Sequence, residues 1–218
     1  NRVDGIILIG TVMTAEHNRL IREIGIPVVV LGQQSDYCSC VYHDDLGAAK
    51  ALTQVMTKTG KIFGIIGVPD KDIATGLHRK QGFFQALEES GIAVDPDTSL
   101  EVAEFSVESG YTHARILFEK NPRIDSVFCA TDSIAIGTMM YLREQGRKIP
   151  EEVQIAGIGD NLMGSVAAVK LTTAHYFYRT SGVEAANMML GVIGDGAKVR
   201  REVKMGYEII EKESTRHN

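Results

Sequence analysis

Short apolar, β-branched runs alternate with stretches of helical periodicity along the whole chain. VDGIILIG (3–10) is glycine-bounded and strand-like, and TAEHNRLIREIG (14–25) then carries Leu20, Ile21 and Ile24 at helical spacing and stops at Gly25. The alternation continues through strand-like IPVVVLG (26–32) and CSCVYH (38–43), helical DLGAAKALTQVMTKTG (45–60), strand-like KIFGIIGVP (61–69) and helical HRKQGFFQALEESG (78–91). Next come SLEVAEF (99–105) and IDSVFCA (124–130) as strands around the helical VESGYTHARILFEKN (107–121), then the helix SIAIGTMMYLREQG (133–146). VQIAGIG (153–159) and KLTTAHYFY (170–178) read as strands, SGVEAANMMLGVIG (181–194) as a helix, and EVKMGYEIIEKES (202–214) as a final extended stretch. Strands apolar on both faces and separated by helices predict an α/β protein with parallel sheets covered on both sides. Gly25, Gly60, Gly91, Gly146 and Gly194 stand where helix-stop glycines belong, and Asp45 or Asp132 can cap the helices that follow them. An open sheet of roughly seven or eight strands often splits into two lobes with a cleft at the strand ends.

With 218 residues, 44% of them hydrophobic, the chain can bury a substantial core. Its net charge of −5 argues against a nucleic-acid-binding surface, and its apolar runs are far too short to span a bilayer, so neither DNA nor a membrane is an expected direct partner. The first residue, Asn1, is not an initiator Met, which suggests a fragment. Three cysteines, Cys38, Cys40 and Cys129, favour free thiols in a reducing cytoplasm.

The chemistry-bearing motifs are few. IAGIGDNLMG (155–164) places glycines at 157, 159 and 164, a spacing that misses the dinucleotide fingerprint, and no helix is evident directly after it. What remains is a strand opening into a polar, glycine-loosened turn, the position at which open α/β sheets bind ligands. Cys38, Cys40 and His43 offer metal-ligand types, but strand alternation turns His43 away from the two cysteines, so no metal site is expected. No histidine pair at helical spacing and no nucleophile elbow occurs; Ser181 reads as a helix cap, and nothing supports catalysis or a cofactor. Thr75 and Arg79, four apart after the strand KIFGIIGVP, share a face if a helix has begun there, and a hydroxyl with a guanidinium suits a polar or anionic ligand. Phe105, after SLEVAEF, is either a stacking platform or core. In CATDS, Asp132 reads as the N-cap and Thr131 as the outward-facing residue.

VDGIILIG, the Thr75–Gly82 turn with its R-x-x-G-F, CATDSIAIGTM, IPEEVQIAGIGD and KLTT follow one another as they do in the effector-binding core of the lactose-repressor/galactose-repressor family of bacterial transcription regulators, which the whole chain resembles. Within that family, HYFYRTSGVEAANMML and MGYEIIEKEST are most similar to sucrose-operon repressors. The resemblance implies two doubly wound, parallel-sheet lobes of periplasmic-binding-protein-like type I. The first would comprise 1–58 and 176–196, with its early strand–helix units absent, and the second 59–175 and 197–218. It implies a sugar or sugar-phosphate effector bound between the lobes, operator DNA contacted only through an absent N-terminal helix-turn-helix, a homodimer and a cytoplasmic location. By position, Thr75 and Arg79 match the effector-binding hydroxyl and arginine, Phe105 the stacking aromatic, Thr131 a frequent Asn and Tyr176 a frequent Gln. Asp44 or Asp45 matches the acidic position of the first lobe. The usual strand-end Asp falls at Gly159, so the carboxylate is missing or displaced to Asp160. An Arg79 without a nearby anion would favour a phosphorylated sugar over sucrose or fructose. A transport-type sugar-binding protein on the same scaffold is the alternative.

Overall fold

A computed structural model describes residues 3–10, 12–195 and 199–217, and it divides the chain into two compact units. The first contains the residues up to Asp44, Asp72–Ala74 and Tyr176–Tyr207. Its strands β1 (Ile6–Ile9), β2 (Val28–Leu31), β3 (Ser39–His43) and β9 (Glu202–Met205) form a sheet in the order β1-β2-β3-β9 with every neighbouring pair parallel. Val29 and Val41 are fully buried where α8 (Tyr178–Asp195) lays Ala185, Met188 and Met189 against them. Helix α1 (Ala15–Glu23) has no buried residue and is started by Thr14, whose side chain accepts from the His17 amide.

The second unit comprises Asp45–Lys71, Thr75–His175 and the residues from Glu208 onward. Its sheet takes the order β10-β8-β7-β6-β4-β5, built from β4 (Phe63–Gly67), β5 (Leu100–Val102), β6 (Ser126–Cys129), β7 (Gln154–Ile158), β8 (Thr172–Tyr176) and β10 (Tyr207–Ile210). The pairs from β5 through β8 are parallel. Helices α5 (Val107–Lys120) and α6 (Asp132–Glu144) cover one face, burying Leu117 and Ile134 with Val127, Cys129 and Ile155. Alternation turns Phe128 to the other face, where its ring lies 5.7 Å from that of Phe83 on α3 (Arg79–Glu89). A short helix, α4 (Pro96–Ser99), leads into β5, and helix α2 (Asp45–Thr57) packs on α3. Gly82 permits that approach, because a Cβ there would overlap the Leu46 carbonyl.

The division differs from the expected one at two places. Helix α2 belongs to the second unit, since its contacts are with α3 and with β7, whose Gln154 side chain donates to the Met56 carbonyl at 2.9 Å. The expected crossing at 196–197 lies outside the described residues, and β9, placed in the second lobe by that boundary, pairs instead with β3. The final extended stretch is thus two strands in two different sheets. Three of the five helix-stop glycines, Gly25, Gly91 and Gly146, adopt the left-handed conformation, whereas Gly194 lies within α8 and neither it nor Gly60 has a positive φ. No helix among the described residues is long and apolar enough to cross a membrane.

Candidate functional site

In the second unit, polar side chains gather where β4, β6 and β7 end. After β4 the chain makes a π-helical turn (Ile73–His78), whose wider hydrogen bonding loosens the four-residue alignment of Thr75 with Arg79 that an α-helix would give. Gly76 seats this turn, because a Cβ would overlap the Pro69 carbonyl. Thr75 is half-buried within it. Arg79 then opens α3 as a buried side chain. Its Nε and Nη2 reach Asp45 Oδ1 at 2.7 and 2.6 Å, and its Nη1 donates to the Ala130 carbonyl at 2.6 Å. Asp45 sits in the first turn of α2, where the helix N-terminus favours a carboxylate. The expectation of a guanidinium without a nearby anion is therefore corrected: Arg79 carries a buried counter-ion, and its pull on a phosphate is largely cancelled.

At the end of β6, Thr131 rather than Asp132 is the N-cap of α6, its hydroxyl accepting from the Ile134 amide at 3.3 Å. Asp132 is the first helical residue and almost fully buried. It accepts from the Asn161 amide at 2.9 Å and from Thr173 Oγ1 at 2.7 Å. Burial raises its pKa above the ordinary carboxylate value, against these two hydrogen bonds.

The turn after β7 has two unusual residues in succession. Gly159 has φ 143° and Asp160 φ 48°, so a side chain at 159 would be strained and the missing carboxylate follows from the backbone itself. The Asp160 carboxylate is tied to Lys212 Nζ at 2.9 Å through Oδ1 and to His175 Nδ1 at 3.1 Å through Oδ2. Partial burial alone would raise its pKa, but the Lys212 ammonium, and after it His175, outweigh burial and hold it below the ordinary value. A short helix, α7 (Leu162–Val166), does follow this turn, capped by the Asn161 side chain on the Gly164 amide. Phe105, between β5 and α5, is 48% exposed, which removes the core reading and leaves an accessible aromatic face.

The first unit holds the other expected residues. Asp44 pairs with Lys204 at 3.1 Å and raises that lysine's pKa, while its chain neighbour Asp45 holds Arg79 within the second unit. Tyr176 is buried, its ring stacked on His43 at 4.5 Å and 7°. His43 Nε2 lies 2.9 Å from Ser181 Oγ. Ser181 does not cap α8: it lies inside that helix and donates back to the Phe177 carbonyl at 3.1 Å. A buried Gln33 donates to Asp72 Oδ1 at 2.8 Å. Cys38 and Cys40 make no metal cluster, and among the described residues no group of three His, Cys, Asp or Glu side chains could hold an ion.

Of the sequence-derived residues, then, Arg79 meets the Ala130 carbonyl beside Thr131, and the Asp132 network links that point to the turn at Gly159 and Asp160. Phe105 stands at the end of the neighbouring β5, while Tyr176 and Asp44 belong to the other unit. Asp45 as counter-ion, and Lys212 and His175 as partners of Asp160, had no local signal, because the pairs are 34, 52 and 15 residues apart in sequence.

A family model described as a periplasmic binding protein-like domain matches residues 60–215. Among curated proteins, the transcriptional regulator CelR of Thermobifida fusca is 29% identical over 86% of this chain and 56% of its own length. The sucrose operon repressor of Staphylococcus xylosus is 28% identical over 87% of this chain and 58% of its own. The chain thus spans somewhat over half the length of these relatives. A solved CelR–cellobiose complex superposes with a TM-score of 0.91 at 25% identity, over 97% of this chain and 66% of that one. A LacI family regulator from Enterococcus faecium with bound ribose has the same fold, with a TM-score of 0.87 at 24% identity over 98% of this chain and 80% of that one.

Proposed function

The chain belongs to the periplasmic binding protein-like domain family, and from that premise we propose that it is the effector-binding core of a sugar-responsive transcriptional repressor. The observation that carries this reading is the buried Arg79–Asp45 pair with its third contact at the Ala130 carbonyl. Such a group offers fixed donors and acceptors without net charge, the chemistry that neutral hydroxyls require. The exposed Phe105 supplies an apolar face for the carbon skeleton of a sugar ring. Asp160, with its charge offset by Lys212, adds hydroxyl acceptors without attracting a cation. We assign Thr75, Arg79, Phe105, Thr131 and Asp160 to effector contact, with Gly159 leaving room beside them. The regulator names of the curated relatives support a repressor over a transport receptor, and the sucrose operon repressor among them makes sucrose the leading effector.

In the full-length protein the effector changes operator affinity, which requires it to bind one conformational state more tightly than the other. The complete protein acts as a cytoplasmic homodimer that contacts DNA through a helix-turn-helix outside this chain. The test is operator binding by the full-length protein during a sucrose titration, with cellobiose alongside. A change of about fivefold or more in operator affinity is expected; unchanged affinity with both sugars overturns the reading.

A further inference from the structure

Asp160 is held in the left-handed conformation, φ 48°, that a non-glycine residue adopts only under strain, and the surrounding side chains are arranged to keep it there. From the backbone side, the Gly159 amide donates to the Ala174 carbonyl at 2.9 Å and the Asp160 amide to Thr173 Oγ1 at 3.2 Å. Thr173 Oγ1 and the Asn161 amide both donate to the buried Asp132. From the side-chain side, the carboxylate takes Lys212 Nζ on one oxygen and His175 Nδ1 on the other. Lys212 is itself anchored: its amide donates to Thr172 Oγ1 at 2.8 Å, its ammonium also reaches Ser165 Oγ at 3.4 Å, and its side chain is only 17% exposed. Asp160 remains 20% exposed.

A purely structural turn at this strand end could use a second glycine and avoid the strain. A carboxylate fixed in one orientation, still open to solvent on one side, is instead suited to accept hydroxyls with little further loss of freedom. We propose that Lys212 is a positioning residue for the effector: it orients the Asp160 carboxylate toward the sugar and thereby sets sugar affinity without touching the sugar. This rests on the sugar-effector reading. It assigns a role to a residue that follows β10, within the stretch MGYEIIEKEST, and to which sequence alone assigns no function. His175 acts as the second clamp on the same group.

Calorimetric titration of sucrose and cellobiose into the wild-type chain, Lys212→Met, Lys212→Arg, Asp160→Asn and the double variant Asp160→Asn/Lys212→Met tests it. Lys212→Met is expected to weaken sugar binding about tenfold. Lys212→Arg restores most of the affinity, and the double variant binds no more weakly than Asp160→Asn alone, because a positioning residue has nothing left to position. Lys212→Gln, which keeps a neutral donor, gives an intermediate loss and serves if the methionine variant does not fold by circular dichroism. Equal affinity in wild type and Lys212→Met (or Lys212→Gln, where that is the variant used), or losses that add in the double variant, overturn the proposal. Wild-type protein that binds neither sugar overturns the effector reading itself, a distinct outcome.

Discussion

Replacing Arg79 by methionine keeps much of the side chain's volume but strands the Asp45 carboxylate, which is 3% exposed, without its cation. Two nitrogens of the guanidinium lie on one oxygen of Asp45, and a third donates to the Ala130 carbonyl. Removing one member of a buried pair costs about 3–5 kcal/mol, because the remaining charge stays desolvated. The carbonyl left without its donor adds about 1 kcal/mol. The two overlap, since water admitted to the gap relieves both, so the expected loss is about 3–5 kcal/mol. Asp45→Asn on the Arg79→Met background removes the stranded charge and should recover about 1–2 kcal/mol. The chain has no Trp, so urea unfolding is followed by far-UV circular dichroism, with amide exchange in α2 and α3 reporting the second unit. A loss below about 1 kcal/mol in Arg79→Met, or a double variant no more stable than that single one, would refute the charge argument.

Other consequences are equally direct. Gly82→Ala places a Cβ against the Leu46 carbonyl, and Gly137→Ala places one against that of Val107. Each should destabilise the second unit by about 1–3 kcal/mol, read from urea midpoints. Because the folded pKa of Asp160 is depressed, its contribution is present above the ordinary carboxylate value of 3.8 and is lost as pH falls through the folded value. Asp160→Asn should therefore show a shallower loss of stability on acidification below pH 3.8 than wild type, and parallel acid-unfolding curves would contradict this. Burial pushes the Cys129 thiol up to about 12 and raises that of Cys40, while Cys38 is half-buried. A thiol reagent at pH 8 should modify Cys38 well before the other two; peptide mapping checks the order.

The alternation of apolar runs and helical stretches made the α/β class legible, because strands such as Val28–Leu31 and Phe63–Gly67 are buried on both faces and therefore apolar throughout. The division into units was less legible. Nothing within DLGAAKALTQVMTKTG tells which sheet α2 covers, a choice made by the Gly82 contact and by Gln154 far along the chain. At the site, Arg79, Phe105 and Asp160 could be picked out because each follows a recognisable strand. The charge state around them could not, since it depends on Asp45 and Lys212, brought in by tertiary folding. Thr131 and Asp132 were exchanged in role because the helix begins one residue earlier than the cap pattern suggested. The π-helical turn at Ile73–His78 has no sequence period of its own, and the close approach of Gly76 to the Pro69 carbonyl within it shows only in the fold.

On the proposed reading, the strand-end site of the second unit accepts a neutral sugar because Arg79 already carries the Asp45 carboxylate. Calorimetric titration of sucrose and of sucrose 6-phosphate into the wild-type chain and into Asp45→Asn tests it most directly. Wild type is expected to prefer the neutral sugar, and Asp45→Asn to shift the preference toward the phosphate by exposing the Arg79 charge. Wild-type protein that binds the phosphate more tightly than sucrose, or whose preference is unmoved by Asp45→Asn, would contradict it.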